Sequence, residues 1–91
     1  MDSQSAKRAL AHAWAIVALA RERTFTSPER TELGRIAGML QESQFMKEEV
    51  GATVKVLSGR LDRFAATGES PNAAEVENLL DEMDRAMVLL G

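Results

Sequence analysis

The segment from Phe45 to Phe64 has the clearest hydrophobic pattern in the chain. After the first step, its large apolar residues recur at alternating intervals of four and three positions: Met46, Val50, Val54, Leu57, Leu61 and Phe64. This spacing places them on one stripe of an α-helix, and such a stripe requires other helices to cover it. We therefore expect this segment to be the central helix of the fold.

The N-terminal part of the chain predicts two further helices. Residues 5–22 carry an apolar stripe that widens round one side, and Ser3 or Ser5 is expected to cap this helix. Ser27-Pro28-Glu29 is a helix-start signal, because serine accepts a free amide hydrogen, proline fits the first helical position and glutamate suits the positive end of the dipole. Helix two is therefore predicted over residues 28–41.

The C-terminal half predicts a helical hairpin. Helix three is expected over residues 44–66 and helix four over residues 71–90, with Gly68 ending the first and Ser70-Pro71 starting the second. The two helices are predicted to pack antiparallel. Residues 42–44 contain neither glycine nor proline, so helices two and three either separate, with Ser43 as a cap, or run on through a kink.

Composition favours a single all-α domain over residues 1–91. The chain is 45% hydrophobic and shows no strand-like alternation, so a small four-helix bundle is predicted. A chain this short buries a limited fraction of its surface, which makes dimerisation an open option. The absence of cysteine excludes disulfides, thiolate metal sites and cysteine nucleophiles. No apolar run is long enough to span a bilayer.

The first 20 residues also resemble a signal peptide. Lys7 and Arg8 precede an apolar run, and Ala18-Leu19-Ala20 resembles a cleavage site. Against this, His12 interrupts the run, and the run continues into an amphipathic helix. We expect a cytoplasmic protein, with secretion as the alternative if residues 1–20 are a signal.

Catalytic and cofactor chemistry finds little support in the sequence. His12 is the only histidine, and Arg8 and Ile16, one turn away on either side, are not metal ligands. The lysine and glycine that follow a phosphotransfer histidine on its helix are absent. No serine has a base nearby, and no glycine-rich loop precedes a helix. We predict no catalytic residues, no metal and no cofactor.

Charged residues are distributed unevenly along the chain, whose net charge is −3. Four arginines surround the first helix break: Arg21, Arg23, Arg30 and Arg35. Glutamates interleaved with them favour ordinary surface ion pairs over phosphate binding, so nucleic acid is not an expected partner. On helix four, Glu77, Asp81 and Asp84 share a face that is either solvated or docks a basic partner or hard cation, and Asp81 is spaced to pair with Arg85.

Small residues lie roughly opposite the apolar stripe of helix three. Gly51 and Gly59 each cost a helix about 1 kcal/mol relative to alanine. Together with Ala52 and Val56 they form either a tolerated weak surface or a place where another helix approaches closely, including one from a second subunit.

One segment carries a family resemblance. The run from Ala18 to Arg30, followed by Leu33, Ile36 and Leu40, resembles the TerB-like helical domains of tellurite-resistance systems over about residues 9–43. That family has an alanine-rich helix, a turn and a second amphipathic helix. Its Asp-Gly turn is absent here, with Glu22 and Arg23 near its place, so none of its metal-binding acidic positions is carried over. The resemblance implies a helical accessory domain.

These patterns together predict a non-enzymatic protein–protein interaction module that associates with a partner protein, most simply a second copy of itself. The alternatives are a small DNA-associated regulator and a TerB-like accessory or metal-dependent domain. The candidate partner-binding residues are Ile16, Leu19, Val56, Glu77, Asp81, Asp84, Arg21 and Arg23.

Overall fold

All four predicted helices are present in the computed structural model, which describes residues 2–66 and 72–91. They are α1 (Ser3–Ala18), α2 (Ser27–Glu42), α3 (Glu48–Ala66) and α4 (Ala73–Leu90), with a 3₁₀ turn at Leu19–Arg21 after α1. No strand occurs among the described residues, and the all-α four-helix prediction is confirmed. The predicted turn at Gly68 and helix start at Ser70-Pro71 lie outside the described residues.

Consecutive helices run in opposite directions, as contacts between their ends show. Arg21, just after α1, forms an ion pair with Glu77 near the start of α4, with 2.7 Å between Nε and Oε2. The ring of Phe25, ahead of α2, packs edge-on against Phe64 near the end of α3, with 5.4 Å between centroids. The ends of α1 and α3 and the starts of α2 and α4 therefore lie at one end of the bundle. The predicted antiparallel arrangement of α3 and α4 follows from this placement.

The core receives apolar side chains from all four helices. From α3 it takes Val50, Val54, Leu57 and Leu61, and from α4 it takes Val76, Leu79, Leu80, Met83 and Ala86. However, α3 lies most extensively along α2, and α4 along α1. The main cover for the central stripe is therefore α2, and α4 covers it to a smaller extent.

The central stripe begins one turn later than the sequence pattern predicts. Met46 was expected to lie on the stripe, but it precedes α3 and its side chain is fully exposed. The physical reason is the break between α2 and α3. Ser43 ends α2 by donating its hydroxyl to the Met39 carbonyl oxygen at 2.8 Å, and its extended backbone turns the chain out of the helix. Helices α2 and α3 are therefore two separate helices rather than one kinked helix. Ser43 caps the end of α2 rather than the start of α3.

Three helices begin at caps other than the predicted serines. Asp2 caps α1 by accepting the Ser5 amide hydrogen at 2.7 Å, and Asn72 caps α4 by accepting that of Glu75 at 2.8 Å. At α2 the cap is Thr26 rather than Ser27. Thr26 accepts from the Glu29 amide while the Glu29 carboxylate accepts from the Thr26 amide, a reciprocal capping box. This pairing satisfies two free amides, whereas a Ser27 cap would satisfy one.

Two glycines inside α2 offer a test of this packing. An added Cβ at Gly34 or Gly38 would meet nothing within 4 Å. Replacing either with alanine should therefore raise the free energy of unfolding by about 0.5–1 kcal/mol, because alanine loses less backbone entropy in a helix. Denaturant unfolding measures this change. Gly91→Ala is the matched control. Gly91 has a left-handed φ of 60°, so this variant should show no gain. A loss of stability in both α2 variants would contradict the packing described here.

Candidate interaction surface

The two aliphatic candidates of α1 and its 3₁₀ turn lie mainly inside the bundle. Ile16 was predicted to offer surplus apolar surface, but it is only 7% exposed and belongs to the core. It lies on the side of α1 that carries His12, one turn earlier, and the His12 ring faces Glu32 of α2. Leu19 is half-buried in the 3₁₀ turn. The prediction for Ile16 is therefore wrong, because α2 covers that side of α1.

Val56 of α3 remains on the surface, as predicted, with 66% of the residue exposed. It borders an open groove of about 350 Å³ between α3 and α4. The groove is lined from α3 by Ala52, Thr53, Val56 and Leu57 and from α4 by Glu82 and Arg85. An aliphatic side chain beside a shallow groove suits contact with another helix rather than enclosure of a small molecule.

A second apolar surface lies at the end of the bundle where α1 and α3 begin and α4 ends. A cleft of about 430 Å³ there includes Phe45, Met46, Leu89 and Leu90 among its lining residues. Met46 is fully exposed and Leu89 is 43% exposed. Val88, the residue before Leu89, is 80% exposed. Val88 does not line the cleft. We call the three exposed apolar residues at this end of the bundle, Met46, Val88 and Leu89, the distal cluster.

The candidate arginines are used within the chain. Arg21 makes a two-point contact with Glu77, at 2.7 Å and 2.8 Å, and its guanidinium lies 5.7 Å from the centre of the Trp14 ring. Arg23 makes a similar contact with Glu29, at 2.7 Å and 2.6 Å. The prediction of surface ion pairing is confirmed for both. Because Arg21, Arg23 and Arg35 each face a carboxylate, the first helix break presents a weaker field to phosphates than four arginines alone would.

These contacts shift the pKa of the carboxylates involved. Hydrogen bonds from Arg23, then from the Thr26 amide, lower the pKa of Glu29 from 4.5 to about 2. Arg21 lowers the pKa of Glu77 in the same direction, and Arg35 that of Glu32. All three carboxylates therefore stay ionised in mild acid and serve as structural anions.

The acidic face of α4 is divided by the fold. Glu77 is held by Arg21 across the helix boundary, while Asp81 and Asp84 remain exposed. The suggested pair between Asp81 and Arg85 does not form in the described structure, and Glu82 instead pairs with Arg60 of α3. Within residues 2–66 and 72–91, no three carboxylate or imidazole groups are placed to hold a metal ion. In the same residues, no helix has the length and apolar content needed to cross a membrane.

Sequence reasoning overlooked most of the distal cluster. Met46 was assigned to the core stripe because its spacing from Val50 matches a helix, although the chain is not helical at that point. Neither Val88 nor Leu89 was among the candidate partner-binding residues. Their position at the helix end, where no neighbouring helix extends over them, was the signal that could have identified them.

Comparison with known proteins found no matching family model, no matching curated protein and no matching solved structure. The resemblance to TerB-like domains therefore stays a prediction.

The contact between Arg23 and Glu29 predicts acid sensitivity. A carboxylate with a lowered pKa in the folded state binds fewer protons than the unfolded chain does, so its stabilising effect is present above the unfolded pKa and is lost as the pH falls. We expect the denaturant midpoint to decrease between about pH 4.5 and pH 2. The Glu29→Gln variant should be less stable than the parent at neutral pH and show a smaller decrease over this range.

Glu42→Gln is the control, since Glu42 is exposed at the end of α2 and takes part in no described ion pair. Its pH dependence should follow that of the parent chain. An unchanged acid transition in Glu29→Gln would show that the Arg23 contact does not persist in solution.

Proposed function

We propose that this chain is a non-enzymatic protein–protein interaction module that associates with a second copy of itself. The observation that carries this proposal is the placement of aliphatic side chains outside a filled core. Among residues 2–66 and 72–91, four large hydrophobic residues are exposed: Met46, Val56, Val88 and Leu89. They fall on two surfaces, the groove beside Val56 and the distal cluster.

The energetics support association by these surfaces. Complete burial of a valine, leucine or methionine side chain contributes roughly 1.5–3 kcal/mol, so even partial cover of these positions favours binding. Clustered exposed apolar residues on small proteins commonly mark contact surfaces. The core is already filled, because its large side chains are almost completely buried.

The charged groups support a binding role over a catalytic one. The strongest carboxylate–arginine contacts are committed to helix capping and to joining helices, as Glu29 and Glu77 show. His12 lies on the bundle surface, with its Nδ1 3.7 Å from a Glu32 carboxylate oxygen. A DNA-associated role receives no support from the arginines of the first helix break, since Arg21, Arg23 and Arg35 all face glutamates.

A cytoplasmic location is part of the same proposal. Leu10, Ala13 and Val17 of α1 are fully buried in the core. Removal of residues 1–20 as a signal would take away one of the four helices and expose its partners. This contribution of α1 to the bundle supports retention of the segment.

Self-association is tested by sedimentation equilibrium over a range from low micromolar to several hundred micromolar. We expect the apparent mass to rise from monomer towards dimer, because association covers the exposed aliphatic groups. A variant carrying Val56→Gln, Val88→Gln and Leu89→Gln should stay monomeric, with an unchanged helical circular dichroism spectrum. A parent chain that is monomeric at every concentration would overturn the proposal.

A further inference from the structure

The outward face of α3 has a symmetric order of residues. Glu49 lies two helical turns before Val56, and Arg63 lies two turns after it. Ala52 lies one turn before Val56, and Gly59 one turn after. We call these five residues the α3 seam. At about 100° per residue, the seam lies roughly 160° around the helix from the buried stripe.

Exposure agrees with this geometry. Glu49, Ala52, Val56 and Arg63 are exposed, while Gly59 is half-buried with open space beside it. The seam runs for about 21 Å along α3, at 1.5 Å per residue, and borders the groove between α3 and α4. Arg63 also has a contact within its own chain and borders a cleft shared with Glu75 and Leu79 of α4.

The charges along the seam determine which partner would fit. It is acidic at its N-terminal end, aliphatic or small in the middle and basic at its C-terminal end. A helix with the same order, turned to run in the opposite direction, therefore meets it with complementary charges at both ends. Two-fold symmetry produces this arrangement when the partner is an identical chain, because each contact then occurs twice.

We propose that the α3 seam is the contact of a two-fold symmetric dimer in which α3 packs antiparallel against α3 of a second copy. The two-fold axis passes between the two Val56 side chains. Glu49 of each subunit then faces Arg63 of the other, and Ala52 faces Gly59. This inference rests on the proposed self-association and specifies its surface, orientation and register.

The small residues explain how closely the two helices approach. With alanine opposite glycine in the layers next to Val56, the helix axes come near enough for the two valines to fill the space between them. The outer layers need only the positive charge of Arg63 near the negative charge of Glu49. Because such charges are partly solvated, they contribute mainly to orientation, and added salt weakens their effect.

The first arm of the test compares two exposed valines. Val56→Lys places two like charges at the proposed axis and should weaken the dimer by about tenfold or more in sedimentation equilibrium. Val88→Lys tests the distal cluster in the same way, because Val88 is at least as exposed and lies outside the seam. Thr31→Lys is the matched control, because Thr31 is exposed on α2 and lies on neither apolar surface. It should leave the association constant within about twofold of the parent.

The second arm tests orientation and register through charge exchange. Glu49→Arg alone places arginines opposite each other at both ends, and Arg63→Glu alone does the same with glutamates. Each variant should form its own dimer about tenfold more weakly than the parent. An equimolar mixture of the two should recover association at low salt, because in the mixed dimer every arginine faces a glutamate.

The outcomes separate this inference from the proposed function. If the parent associates but Val88→Lys weakens it and Val56→Lys does not, the distal cluster is the interface and the seam assignment is wrong. If Val56→Lys weakens the dimer but the mixture shows no recovery, the antiparallel register is wrong. A monomeric parent overturns self-association itself. Circular dichroism of each variant excludes unfolding as the cause of weakened association.

Discussion

The bundle depends on burial of the α3 stripe that contains Val50, Val54, Leu57 and Leu61. Complete burial of one such side chain contributes roughly 1.5–3 kcal/mol, whereas ordering each residue of backbone costs about 1–2 kcal/mol. A chain of this length therefore depends on large apolar residues from every helix joining the same core. The single cluster formed by all four helices satisfies this requirement.

Polar contacts fix the ends of the helices that the core brings together. The capping box of Thr26 and Glu29 fixes the start of α2, and Arg23 extends it across the preceding turn. Arg21 joins the end of α1 to α4 through Glu77. The same contacts occupy three of the charged candidates for binding an outside partner, Arg21, Arg23 and Glu77, whereas Asp81 and Asp84 remain exposed.

The two sides of α3 differ in burial. Leu57 and Leu61 hold the inward side rigidly against the core, while Val56, one residue from Leu57, points away from it. A rigid helix presents its outer side chains at fixed spacing, so contact with a second helix requires little further ordering. Val56 is thus exposed on the side of α3 away from the core, between Glu49 and Arg63 along the helix.

The amino-acid sequence by itself determined that there are four helices, their positions to within about one turn, and which stripe of each faces inward, because helical periodicity is local. The spacing of apolar residues alone identified Leu57, Leu61 and Met83 as core residues, and all three are buried. The sequence did not determine which helix covers which side. Ile16 and Val56 both extend an apolar surface sideways, yet only Val56 is exposed, and Arg21 meets a carboxylate 56 residues away. Only the tertiary structure decided these points, because cover and pairing depend on how distant segments approach each other.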